Sequence, residues 1–189
     1  MLRVPVSLLV VPLAAVVLAG RLDAQAHGRT SFGGNAAIIV NTVSGSPDAN
    51  LTTVITFQFS RYTGNRHLEL GGSLSMFGNA NTAGSSSTTI NPSFRVNFNT
   101  SPLGRQQNLI AYGGLKFGIS ATAFDDGFGN TASNAAALYG FQIGTNMFVS
   151  TNAALNIEGD YDFSTTVDAL GGSVTTFTGT VSVGARFFF

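Results

Sequence analysis

Hydrophobicity with a period of two recurs about eight times along this chain, and it constrains the fold more than any other feature, because successive side chains of a strand point to opposite faces of a sheet. From Thr89 to Asn99 the even positions Ile90, Pro92, Phe94, Val96 and Phe98 are apolar, and the odd positions are Thr, Asn, Ser or Arg. Leu51, Ile55, Phe57 and Phe59 alternate with Thr52, Thr56, Gln58 and Ser60. Leu68, Leu70, Leu74 and Met76 alternate with His67, Glu69, Ser73 and Ser75. The pattern returns around Leu109 to Ile119, Tyr139 to Met147, Leu155 to Phe163 and Phe177 to Phe189. The first segment, about Phe32 to Val43, is the weakest, since Ile39 and Val43 blur its polar face. No run near 18 apolar residues follows position 26, so helical membrane spans are not expected there.

Alternation alone also suits a soluble sandwich, and charge separates the two architectures. Only 10% of the 189 residues are charged, against about 25% in soluble domains. The polar face is mostly Ser, Thr, Asn and Gly, too poor in ions to coat a water-exposed sheet. Glu69, Arg95, Lys116, Glu158, Asp160, Asp162 and Arg186 all share parity with the small polar residues, while Arg61, at a strand end, falls on the apolar parity. An Arg facing lipid at the midplane costs about 2 to 4 kcal/mol, falling toward zero at the interface. The expected fold is therefore all-β, an eight-stranded antiparallel up-and-down transmembrane barrel with apolar side chains outward. Lipid offers no partner for a sheet edge, which requires closure.

Residues 1–26 place Arg3 before an apolar stretch and end in Ala24-Gln25-Ala26, the pattern of a cleaved signal peptide; two prolines and short length weigh against an anchor helix. The barrel domain is then expected at 27–189. Gaps between alternating segments run to seven, four, ten, eight, fifteen, four and eleven residues, the longest being Ala121 to Ala135. Short inner turns and longer outer loops would put both termini on the periplasmic side. Trp is absent, so Phe59, Phe98, Tyr139, Tyr161 and Phe163, with Phe177, Phe187 and Phe189, are expected to form the interfacial aromatics. Pro92 cannot donate to a ladder and is expected near the outer rim.

The final strand, TGTVSVGARFFF, resembles the terminal signal of bacterial outer-membrane proteins, with Phe187 and Phe189 as its aromatic positions. The stretch from Tyr139-Gly-Phe-Gln-Ile-Gly through Leu-Asn-Ile-Glu-Gly-Asp-Tyr-Asp-Phe163 resembles the OmpA-like and OmpX-like small barrels, with Glu158 and Tyr161 at their acidic and aromatic positions, although Gly159 and Asp160 intervene. The resemblance implies a Gram-negative outer-membrane location and recognition by the barrel-assembly machinery.

Glu69, Arg95, Lys116, Glu158, Asp160 and Arg186 are expected to form an interior charge network that plugs the lumen, since eight strands enclose an interior just wide enough for side chains. The function this suggests is structural or surface-associated, in a monomer surrounded by outer-membrane lipid. A narrow passive channel for small solutes is one alternative, and a secreted lipocalin-like binder another. Nothing points to an enzyme: the two histidines, His27 and His67, have no Ser and acid partners in the pattern, and no cofactor or metal is implied. Asp125-Asp126-Gly127 reads as a solvated turn rather than a calcium loop. Zero net charge excludes the electrostatic footprint of a nucleic-acid binder.

Overall fold

The computed structural model describes residues 29–42, 49–63, 67–81, 84–104, 108–128, 130–167 and 173–189, so the leader expected at 1–26 and His27 lie outside the described residues. Eight strands run in sequence: β1 (Thr30–Thr42), β2 (Ala49–Tyr62), β3 (Leu68–Asn81), β4 (Ser86–Asn99), β5 (Leu109–Asp125), β6 (Thr131–Ser150), β7 (Ala153–Val167) and β8 (Ser173–Phe188). Each pairs antiparallel with the next, and β1 pairs with β8 to close a barrel. Thr, Val, Ile and Phe suit these strands because branched and aromatic side chains pack well on a pleated surface.

Paired residues step from Phe32 through Phe59, Gly72, Phe94, Phe117, Tyr139 and Phe163 to Phe177. In the register that sets Phe32 opposite Phe187, Phe177 stands level with Thr42, ten residues (32 to 42) beyond the start. This stagger tilts the strands about the barrel axis. It also winds an outward row of aromatic rings, interrupted only at Gly72, from the end carrying the termini to the far end. Large apolar side chains on the strands are exposed outward, whereas Ser, Thr, Asn, Gln and the ions on the opposite parity are buried in the lumen.

Three features differ from the sequence expectation. The connections at the far end are short: five residues (126–130) separate β5 from β6, where a fifteen-residue loop was expected, and nine (100–108) separate β4 from β5 at the terminal end. The far-end stretches alternate Ser, Thr, Asn and Ala on both faces, so the apolar period fades while backbone pairing continues, as in Thr122↔Asn134 and Phe124↔Ala132. Pro92 is not near a rim but sits mid-strand, opposite Leu74, and the β4 to β5 ladder steps from Ile90↔Ala121 to Ser93↔Gly118 without it.

The lumen is also not polar throughout. Tyr62, Ile110, Phe148, Ala154 and Phe188 lie on the polar parity and form an apolar plug at the terminal end. Phe188 stacks obliquely between Phe148, at 4.9 Å, and Tyr62, at 6.2 Å between ring centroids. Glycines on the inward parity provide room for the large lumen side chains. A Cβ on Gly33 would meet Arg186 Cγ at 2.7 Å, and one on Gly144 would meet the ring of Tyr112.

The plug gives a direct expectation. Phe188→Ala removes a fully buried ring and lowers unfolding stability by about 3 to 5 kcal/mol, whereas Phe189→Ala, whose ring is 77% exposed, leaves the folded barrel's denaturation midpoint unchanged; urea titration of the two variants checks this.

Candidate functional site in the barrel lumen

Above the plug, the lumen is a stack of ion pairs. Each strand contributes through its inward parity, so residues far apart in sequence meet across a narrow interior. Arg186 on β8 pairs with Glu69 on β3, and its Nη2 also donates to Ser31 Oγ at 2.7 Å and Ser60 Oγ at 2.8 Å. Its guanidinium lies 5.7 Å from the Phe188 ring centroid, capping the plug with a cation over a π face. One layer farther, Arg95 on β4 pairs with Glu158 on β7. Glu158 accepts a second bond from Gln58 Nε2 at 2.9 Å and a third from the Tyr112 hydroxyl at 2.6 Å.

Amides fill the space between these pairs. Asn35 Nδ2 donates to Asn156 Oδ1 at 2.7 Å, and Asn156 Nδ2 reaches both the Tyr112 hydroxyl and Asn146 Oδ1 at 2.9 Å. Gln142 donates to Asn97, which donates in turn to Glu69 at 3.4 Å. The third ionic layer is Lys116 on β5, whose Nζ lies 2.9 Å from Asp160 and 2.8 Å from Asp162 on β7. All seven ions are buried. In a low-dielectric interior such groups persist only when paired and hydrogen-bonded, and each ion here has an opposite partner.

Sequence parity identified the ions but not their partners. It missed Tyr112, Gln58, Asn97, Gln142 and Asn156, which tie the layers together. Polar parity was their only signal, and they share it with many Ser and Thr residues. Tyr112 was visible as the one aromatic on the polar parity of its segment, among glycines and Lys116.

Beyond Lys116 the lumen opens into a vestibule of about 460 Å³ at the far end. Its wall includes Thr52, Asn79, Asn91, Ser120 and Thr178, and Asp162 lies at its floor. The strand ends above it are capped by a turn in which Asp126 accepts from the backbone N–H of Phe128 at 2.8 Å and from Asn130 Nδ2 at 2.7 Å. The Asn130 amide and the Phe128 N–H hold the Asp126 carboxyl below the usual carboxylate range. Its oxygens serve the turn, and among the described residues no group of three or more His, Cys, Asp or Glu could hold a metal. His67 lies in the β2 to β3 connection, with Nδ1 2.8 Å from the Asn99 carbonyl oxygen.

The aromatics on the apolar parity face outward. Phe59, Phe98, Phe187 and Phe189 are exposed toward the terminal end. On the β6 to β8 wall, Phe141 and Tyr161 stack at 4.7 Å, Tyr139 and Phe163 at 5.5 Å, and Phe177 joins both pairs.

Removing one member of a buried pair strands the other. Glu158→Ala should destabilise the barrel by about 3 to 5 kcal/mol, because Arg95, Tyr112 and Gln58 lose a common acceptor, and Arg186→Ala should do the same by stranding Glu69. Glu158→Gln should cost less, since two of its bonds can persist; urea unfolding in detergent ranks the three.

No protein-family profile and no curated protein matches this sequence. Solved structures are similar in fold. Neisserial surface protein A aligns over 85% of this chain and 96% of its own, with TM-score 0.59 and 14% identity. Ail, the attachment invasion locus protein of Yersinia pestis, aligns over 86% and 99%, with TM-score 0.55 and 16% identity. The outer membrane protein OprG from Pseudomonas aeruginosa aligns over 89% and 99%, with TM-score 0.51 and 12% identity. The chain thus has the fold of the small eight-stranded outer-membrane barrels.

Proposed function

We propose that this chain is an integral protein of the Gram-negative outer membrane, exported behind a leader at 1–26 and inserted as a monomeric barrel whose role is structural or surface-associated rather than catalytic. The observation that carries the reading is the inversion of polarity: Phe57, Phe94, Phe117 and Phe141 face out while Arg95, Lys116 and Glu158 are buried in the lumen. A water-soluble β-barrel that binds lipophiles has the reverse arrangement, which removes the support for a lipocalin-like binder. Fold similarity to small outer-membrane barrels adds to this.

An even strand number puts both termini at one end, and with that end taken as periplasmic, although the connection lengths do not favour it, the vestibule opens outward. Phe59, Phe98, Phe187 and Phe189 fit the inner interfacial belt, and Tyr139, Tyr161 and Phe163 the outer one, since amphipathic rings favour the level of the lipid headgroups. Phe187 and Phe189 also occupy the terminal aromatic positions that the assembly machinery would read. A passive channel finds less support. The Arg186 to Glu69 and Arg95 to Glu158 layers, with the plug beneath them, leave the vestibule without a through path.

Three measurements test this. Cell fractionation should place the protein in the outer membrane, with gel migration that changes on heating. Planar-bilayer recording of refolded protein should give no discrete conductance steps, and regular steps would favour the channel. Phe94→Arg, mid-strand on β4 and between the two proposed belts, should cost about 2 to 4 kcal/mol in lipid vesicles, while Phe128→Arg at the far-end turn should be neutral; equal tolerance of both would argue against a membrane-embedded wall.

A further inference from the structure

The buried charges of the lumen do not balance. Among the described residues Glu69, Glu158, Asp160 and Asp162 bring four negative charges and Arg95, Lys116 and Arg186 three positive ones, which leaves one negative charge over (four minus three). Two of the layers are matched one to one, Arg186 with Glu69 and Arg95 with Glu158. The surplus therefore sits in the third layer, where Lys116 faces both Asp160 and Asp162. A buried charge without a counter-charge is costly. This layer also adjoins open space: Asp162 lines the vestibule, and Asp160 and Lys116 lie just beneath it.

A second unmet demand falls at the same level. Arg95, Lys116, Gly140 and Asp162 follow one another along a single paired row. The ten-residue stagger, shared over eight strands, lifts β7 by about four residues relative to β4 (three of eight strand steps). Asp162 is thereby level with Asn91, four residues before Arg95 and on the other side of the lumen. Asn91 is 6% exposed and lines the vestibule, and its Oδ1 has no hydrogen-bond partner among the described residues. A buried acceptor left unpaired loses its hydration without compensation. The same wall carries Val54, Phe77 and Leu138, apolar side chains on the inward parity.

We infer that the vestibule floor binds a small organic cation, a primary ammonium on a compact apolar body. The ammonium supplies the missing positive charge beside Asp162 and donates to Asn91 Oδ1, while the body lies against Val54, Phe77 and Leu138. A cavity of about 460 Å³ holds the volume of roughly fifteen water molecules, far more than a bare ion fills. A metal ion matches less well, because Lys116 already engages both carboxylates and, among the described residues, no group of three or more His, Cys, Asp or Glu is present. No Lys or Arg lines the cavity, so an anion would meet only the surplus negative charge. Lumen side chains alone form the site, whatever surrounds the outer wall.

Isothermal titration of the refolded barrel in neutral detergent, against protein-free micelles, tests this with benzylammonium as the probe. Benzyl alcohol is its uncharged counterpart and phenylacetate its anionic one. One benzylammonium should bind per barrel, at least about tenfold tighter than benzyl alcohol, the gain from a charge-assisted hydrogen bond; phenylacetate should not bind. Asp162→Asn leaves Lys116 and Asp160 as a balanced pair, so it should keep heat-modifiable migration while affinity for benzylammonium falls about tenfold or more. Asp160→Asn removes the surplus without altering the vestibule wall and should weaken binding similarly. Asn91→Leu, which deletes the acceptor, should also cost about tenfold. Asp125→Asn, at an exposed carboxylate of the far-end turn, should change nothing.

Absence of benzylammonium binding, equal affinity for benzyl alcohol, or binding that survives both Asp160→Asn and Asp162→Asn would overturn the site. So would an Asp125→Asn effect as large as that of Asp162→Asn, which would mark diffuse attraction to an acidic rim. Displacement of the probe by an equimolar amount of sodium or potassium would overturn the organic assignment and put an inorganic ion on the floor instead.

Discussion

Burying ions inside a tube whose outer wall is apolar is the constraint on which the rest of this structure depends. A charge turned outward would meet hydrocarbon under the proposed membrane reading, so all seven strand ions on the polar parity crowd into a lumen too narrow for them to remain solvated. They persist because each meets an opposite charge across the barrel, and at Glu158 two further donors, Gln58 and Tyr112, add to the pairing with Arg95. Glycine makes this possible. At Gly33 and Gly144 a Cβ would occupy the space that Arg186 and Tyr112 fill.

The layers divide the lumen into unlike halves. Toward the termini it is solid, with apolar rings below and two ion pairs above. Toward the far end it is a polar cup with Asp162 at its floor, and Lys116 and Asp160 lie just beneath. The β1 to β8 seam follows the same division, paired beside the plug and parted beside the cup.

Much of this was legible beforehand because a wall that is apolar on its outer face imposes a rule on most strand residues. Glu69, Arg95, Lys116, Glu158, Asp160 and Arg186 could be assigned to one face by parity alone, since a single misplaced charge is costly. The plug was not legible. Phe148 and Phe188 obey the inward parity but carry side chains typical of the outward one, and an inward apolar residue breaks no energetic rule. The far-end strand extents were hidden for the opposite reason: Thr131 to Ala136 need not alternate once no apolar face is required.

Sequence by itself determined strand number, the face taken by the ions and by the residues of the clearly alternating stretches, and the sign of every lumen charge, because these follow from period two and from the cost of exposing an ion to a nonpolar surrounding. Only the tertiary structure decided who meets whom. Pairing of Arg186 with Glu69, and of Lys116 with two aspartates, depends on the ten-residue stagger around the barrel (32 to 42). That stagger sets which inward side chains share a level, and it arises from closing the sheet on itself rather than from any local run of residues.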